Sequence, residues 1–85
     1  MNPHILFVID HQLNPEKYTQ EQLDKNANAA KDAADAYHAA IIAHGAAYTA
    51  TDAAYTTATT YWLNEYFTRS GENKQDYFNE LEAQS

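Results

Sequence analysis

Residues 31–68 read KDAADAYHAAIIAHGAAYTATDAAYTTATTYWLNEYFT. Large side chains recur along this stretch at Tyr37, Ile41, His44, Tyr48, Tyr55, Trp62 and Tyr66, with gaps of four, three, four, seven, seven and four residues. Such gaps return to one side of an α-helix. Small residues also repeat every seven positions, at Ala33, Ala40, Ala47 and Ala54 and at Ala36, Ala43, Ala50 and Thr57. From Gln20 to Thr68 there is no proline and a single glycine, Gly45, and alanine is the strongest helix former. Two readings compete. His44–Gly45 could end one helix, with Thr49, Thr51 or Asp52 starting another. The stripe, however, keeps its phase through Gly45, which a broken helix has no need to do. The phase therefore predicts one helix over about 20–68, roughly 70 Å long at 1.5 Å per residue. Such a rod cannot bury its own faces.

Toward the C-terminus, Arg69, Ser70 and Gly71 read as a stop, with Gly71 at the left-handed position after the last turn. Asn73, with Asp76 three residues on, marks a new start. A last helix over about 74–83 places Tyr77, Phe78 and Leu81 on one face, ready to fold back near Trp62, Leu63 and Phe67. Toward the N-terminus, Thr19 and Gln22 form a capping-box pattern, and Asn14–Pro15 breaks the chain before it. Residues 1–14, MNPHILFVIDHQLN, admit two conformations. The apolar run Ile5–Ile9 suits a buried extended arm. Asn2 as a cap, Pro3 in the first turn and Ile5, Ile9 and Leu13 at helical spacing suit a short helix equally. No second strand-like run exists to pair with an arm.

The fold class is therefore all-α within a single 85-residue helical domain. Large aliphatic, Phe and Trp positions are few, because much of the 45% apolar content is alanine and tyrosine. A thin core calls for disulfides, a metal or a partner chain, and there is no cysteine. A homo-oligomeric helical bundle with alanine layers between copies is the expected remedy. From Asp32 to Thr68 the charged residues are Asp32, Asp35, Asp52 and Glu65 alone. A helix so poor in charge is expected to be covered on more than one side.

The net charge of −7, with five scattered basic residues, argues against direct nucleic-acid binding, which needs clustered Lys and Arg. No apolar run is long enough to span a membrane, and the N-terminal run lacks the features of a signal peptide. The expected location is the cytoplasm. Among the histidines, Asp35-x-x-His38 is half of a metal motif that a facing helix would have to complete. Asp10–His11 is adjacent in sequence without being an acid–base pair. There is no cysteine nucleophile and no glycine-rich phosphate loop. No catalytic residue, cofactor or metal is expected. The acids gather in two groups, Asp10 to Asp35 and Glu72 to Glu82, which gives a rod with acidic ends and a neutral middle. The stripe Tyr37, Ile41, His44, Tyr48, Tyr55, Trp62 and Tyr66 is the candidate partner or self-association surface, since Tyr and Trp dominate interface hot spots. Phe67, Tyr77, Phe78 and Leu81 are the candidate C-terminal packing residues. Replacing Tyr48 or Tyr55 by alanine is expected to cost a few kcal/mol, as for a buried aromatic.

The segment Tyr61-Trp62-Leu63-Asn64-Glu65-Tyr66-Phe67, followed by Ser70-Gly71-Glu72-Asn73-Lys74-Gln75-Asp76-Tyr77 and preceded by Asp-Ala-Ala stretches, resembles the C-terminal part of small Ala-rich helical proteins of tailed bacteriophages. The resemblance implies an accessory protein that binds and inhibits or modulates a host protein, such as a defence factor. It transfers no site residues. The alternatives are a structural self-assembling protein and an acidic mimic of nucleic acid.

Overall fold

The structure is a computed structural model that describes residues 1–34 and 38–84, with the side chain of His38 also outside the description. The chain order is α1 (Pro3–Leu13), α2 (Gln20–Ala33), α3 (His38–Thr49), α4 (Thr56–Ser70) and α5 (Lys74–Gln84), with a 3-10 turn at Ala53–Tyr55 before α4. Among the described residues there is no strand.

The N-terminal segment takes the helical alternative. The Asn2 side chain accepts from the backbone N–H groups of His4 at 2.8 Å and Ile5 at 3.3 Å, and Pro3 occupies the first turn. Ile5, Val8 and Ile9 share one face and are buried. A helix satisfies its own backbone, whereas a lone strand here has nothing to pair with. α2 begins with the capping box: Gln22 N–H donates to Thr19 Oγ1 at 3.2 Å, and Thr19 N–H donates to Gln22 Oε1 at 2.8 Å. Its buried row is Leu23, Ala27 and Ala30.

The continuous helix over 20–68 is not formed. α2 ends at Ala33, and the chain is helical again from His38. α3 then ends at Thr49, and α4 starts seven residues later at Thr56. The break lies in the Thr49–Asp52 group and not at Gly45. Thr49 Oγ1 donates back to the carbonyls of Gly45 and Ala46, at 3.0 and 3.1 Å, and Thr51 Oγ1 to that of Tyr48 at 2.7 Å. Threonine hydroxyls offer the backbone these local partners in competition with the helix ladder. Asp52 is extended, at φ −133° and ψ 122°, and its carboxylate accepts from Ala54 N–H at 2.9 Å, which caps the new start. The chain reverses here, and α4 packs along α3.

The reversal changes what covers the alanines. α3 packs against α1, α2 and α4, and its Ala39, Ala43, Ala46, Ala47 and Ala50 are all buried. Of the small-residue layers assigned to contacts between copies, Ala43, Ala47 and Ala50 are covered within one chain, whereas Ala33, Ala54 and Thr57 are exposed. The radius of gyration is 11.7 Å and the extents are 32 × 25 × 21 Å. A compact chain of this length has a radius near 12 Å, so the chain folds on itself and is not a rod.

Gly45 has a packing role. A Cβ at Gly45 would sit 3.2 Å from Cδ2 of Trp62, so the bare backbone is what lets the indole lie on α3. Gly→Ala gains about 1 kcal/mol of helix propensity, which a small displacement of Trp62 offsets. A branched side chain has no such escape. Gly45→Val is expected to cost about 1–3 kcal/mol and to shift the fluorescence of Trp62, the one tryptophan, toward the red. Unchanged emission and an unchanged melt would show that the contact is not tight.

α4 buries Thr59, Leu63 and Tyr66, and the Thr59 hydroxyl shares its one proton between the Tyr55 carbonyl at 3.0 Å and Thr49 Oγ1 across the hairpin at 2.9 Å. It ends as the sequence predicts, with Gly71 at φ +74° and its N–H donating to the Phe67 carbonyl at 3.2 Å. Asn73 Oδ1 accepts from Gln75 N–H at 2.9 Å at the start of α5. Tyr77 is buried and meets Phe67 edge-on at 5.2 Å, while Phe78 and Leu81 are partly buried against the core. No helix among the described residues is long and apolar enough to cross a membrane.

Candidate functional site

The reversal at Thr49–Asp52 splits the sequence stripe between two antiparallel helices. Ile41, Gly45 and Tyr48 form one row on α3, at i, i+4 and i+7. Ala58, Trp62 and Glu65 form the matching row on α4. The two rows meet where the Trp62 indole covers Gly45. Ile41 is 49% exposed and Tyr48 63% exposed, and Trp62 between them is half-buried. Tyr61, 56% exposed, sets its ring edge-on to Trp62 at 5.3 Å. His44, half-buried, lies 6.2 Å from the Tyr48 ring. Tyr55 is exposed at the turn. The result is a helical face of Ile, Tyr and Trp with no charge on α3 and one ion pair on α4, Glu65–Arg69 at 3.5 Å.

The remaining predicted positions go elsewhere. Tyr37 lies outside the described residues, as does Asp35 of the half metal motif. Tyr66 is 1% exposed in the core and takes no part in the face. Phe67, Tyr77, Phe78 and Leu81 pack against the core. Tyr61 escapes the sequence reading because it is off the stripe by one residue. The signal for it was its place beside Trp62 in an amphipathic helix whose buried side is Thr59, Leu63 and Tyr66.

Two polar clusters also escape it. In the first, the buried Asp10 carboxylate accepts from Asn14 Nδ2 at 3.0 Å, from Lys17 Nζ at 2.7 Å and from the Tyr18 hydroxyl. Burial pushes its pKa up, and these three donors outweigh burial and hold it below the ordinary carboxylate value. In the second, Glu72 accepts from the Tyr66 hydroxyl at 3.0 Å and from the Tyr77 hydroxyl, and Tyr77 in turn accepts from Asn2 N–H at 2.8 Å. Burial, then Glu72, pushes the Tyr77 hydroxyl far up. Both clusters pin chain segments together: the first ties α1 to the loop before α2, the second ties the N-terminus to α5.

Two open clefts flank these elements. One of ≈ 610 Å³ lies beside His11, Gln12, Thr56, Thr59 and Thr60. Its threonine hydroxyls already donate within the chain, to Ala53, Tyr55 and Thr56 carbonyls. The other, of ≈ 530 Å³, has Asp10 on its wall beside Leu13, Phe78 and Leu81, and Asp10 is already occupied by its three donors. Among the described residues no group of three His, Asp or Glu side chains is placed to hold a metal ion, and no buried side-chain nitrogen or oxygen lacks a partner. No family model matches the chain, and neither a curated protein nor a solved structure matches it significantly.

Proposed function

We propose that the chain is a non-enzymatic protein-binding module whose contact surface is the aromatic face of the α3–α4 hairpin. One observation carries the reading: Ile41, Tyr48 and Tyr61 are each about half exposed or more on the face that holds Trp62, with Tyr55 equally exposed at the turn, on helices whose opposite sides pack into the core. Large aromatics left outside, on rigid elements whose one neighbouring acid, Glu65, is paired with Arg69, match the composition of interface hot spots. Their exposure has no benefit for folding, because the core is complete without them. The resemblance to small phage proteins suggests the class of partner, a host protein that the module inhibits or modulates in the bacterial cytoplasm.

The test separates binding from stability. Tyr48→Ala and Tyr61→Ala are each expected to change folding stability by no more than about 0.5 kcal/mol, the usual range for surface positions. This replaces the few-kcal/mol loss expected of Tyr48 and Tyr55 in a rod. A photo-crosslinking side chain placed at Tyr48 or Tyr61 should capture a specific host protein from a bacterial lysate. The same group at exposed Ala29 on α2 should not. Equal capture from both faces, or a Tyr48→Ala/Tyr61→Ala variant that retains full binding, would overturn the assignment.

A further inference from the structure

We infer that α5 is a latch: it leaves α1 and melts as a unit, hinged at residues 71–73, while α1–α4 stay folded. The helices do not share the core equally. α3 buries Ala39, Ile42, Ala43, Ala46 and Ala47, and Ile5, Val8 and Ile9 of α1 and Leu63 of α4 join them in one cluster. α5 buries one of its eleven residues, Tyr77. Phe78 and Leu81 are partly buried, and the other eight are exposed. Its main helical neighbour is α1, and it meets α4 where the Tyr77 ring lies edge-on to Phe67. The core around α3 is therefore built almost entirely without α5.

A clasp of side chains around the connector fastens α5. The Tyr77 hydroxyl donates to Glu72 and accepts from Asn2 N–H at 2.8 Å, while the Tyr66 hydroxyl donates to the other Glu72 oxygen at 3.0 Å. One carboxylate thus joins α5 to α4, and one hydroxyl joins it to the N-terminus. At Gly71, φ is +74° and a Cβ would meet open space, so no side chain packs there to resist a swing. Released, α5 does not stay helical. At eleven residues it falls below the ~12–15 at which an isolated helix holds in water. Undocking and melting are therefore one event. Elements with little buried surface open at lower cost than the core, as cooperative units. The closed latch covers an apolar seat on α1 and α4 that includes Phe67, and the open form uncovers it. This seat is separate from the hairpin face, and the inference does not rest on that face being a binding surface.

Native-state hydrogen exchange of the full chain tests this, read amide by amide at several low urea concentrations. The amides of Phe78, Asn79, Glu80 and Leu81 should share one level of protection, at least about tenfold below that of Ala43, Ala46 and Ala47. They should also share one urea slope, smaller than that of α3, because opening the latch exposes less surface than unfolding the chain. Ile42→Val, on α3, should quicken the α3 amides about two- to tenfold and leave those of α5 unchanged, since its contacts persist when the latch is open. Tyr77→Phe keeps the ring and deletes the clasp from the closed form alone. It should quicken both sets by the same factor, about tenfold or more. One protection and one slope across α3 and α5 would overturn the inference, by making α5 part of the global unit. Exchange that rises gradually along α5 toward Gln84 with no urea dependence would overturn it too, by reducing the opening to fraying. So would an Ile42→Val variant that quickens α5 as much as α3. A Tyr77→Phe variant with unchanged α5 exchange would remove the clasp.

Discussion

Tyr66→Ala is expected to lower stability by about 3–5 kcal/mol, the cost of deleting a buried aromatic ring. A chain of this length has about 4–13 kcal/mol in total, at ~0.05–0.15 kcal/mol per residue, so the variant should lose a large share of its stability. Three effects add. The ring is 1% exposed, so its removal leaves a cavity between α4 and the core. It meets Phe67 edge-on at 5.4 Å, and Phe67 in turn supports Tyr77. Its hydroxyl donates to Glu72 at 3.0 Å, which helps fix the segment between α4 and α5. Tyr66→Phe isolates the last effect and should cost about 1.5–3 kcal/mol, the net value of a hydrogen bond to a charged group. Urea unfolding followed by far-ultraviolet circular dichroism gives each number. Tyr48→Ala is the internal control, at no more than about 0.5 kcal/mol. Equal losses at Tyr48 and Tyr66 would mean that both lie on one buried side, as on an unbroken rod.

Those two tyrosines show where the sequence is legible and where it is not. Features that depend on a few adjacent residues are the most readable: the Thr19–Gln22 box, the left-handed Gly71 and the Asn73 start are formed as their chemistry requires, as is the Asn2 cap with Pro3, one of the two conformations the sequence admits there. The all-helical class follows from the same rules. The error over 20–68 has a specific source. The interval from Tyr48 to Tyr55 is seven residues, two helical turns, and so preserves phase whether or not a helix runs through it. A reversal of that length is invisible to periodicity. The Thr49, Thr51 and Asp52 signal was present and carried the right local chemistry, but the phase argument overrode it. Gly45, the residue most suggestive of a break, is explained by Trp62, which only the tertiary structure places against it.

The charge-poor stretch is a second case of partial legibility. Lack of charge on α3 correctly reports that most of its sides are covered. It cannot report whether the cover is another chain or another part of the same one. Alanine layers serve equally well between copies and between helices of one chain, because close approach requires only small side chains. The candidate face has the same ambiguity in reverse. Tyrosine suits core and surface alike, so a stripe of tyrosines does not say which members are buried. Tyr66 goes inside and Tyr48 outside because α4 turns back upon α3, a fact about topology that no single helical projection contains.

Asp10→Asn and Asp10→Ala are the second pair of large effects, and they carry a pH signature. Asp10 is 5% exposed and sits in the last turn of α1, where the helix dipole disfavours a negative charge. It is ionised there because Asn14, Lys17 and Tyr18 all donate to it. Lys17 is largely exposed, so water and salt screen its share. Most of the cost of removal comes from the half-buried Tyr18 hydroxyl and from Asn14. Hydrogen bonds to a charged group contribute more than neutral ones, and Asp10→Ala is expected to lose about 2–3 kcal/mol at neutral pH. Loosening Tyr18 also disturbs its contact with Phe7, whose ring is 4.3 Å away. The pH dependence follows from the direction of the shift. The folded carboxyl titrates below its ordinary value, so the folded state binds fewer protons than the unfolded one between the two values. The stabilisation is complete above the ordinary carboxylate value and disappears as pH falls through the folded one. Urea midpoints for wild type and Asp10→Asn should therefore lie well apart at neutral pH and converge in acid, below ~3.9. A gap that persists undiminished in acid would assign the effect to packing and not to the carboxylate. No gap at neutral pH would mean that α1 is held to α2 by its apolar face and the His4–Asn26 contacts, with no net share from the Asp10 carboxylate.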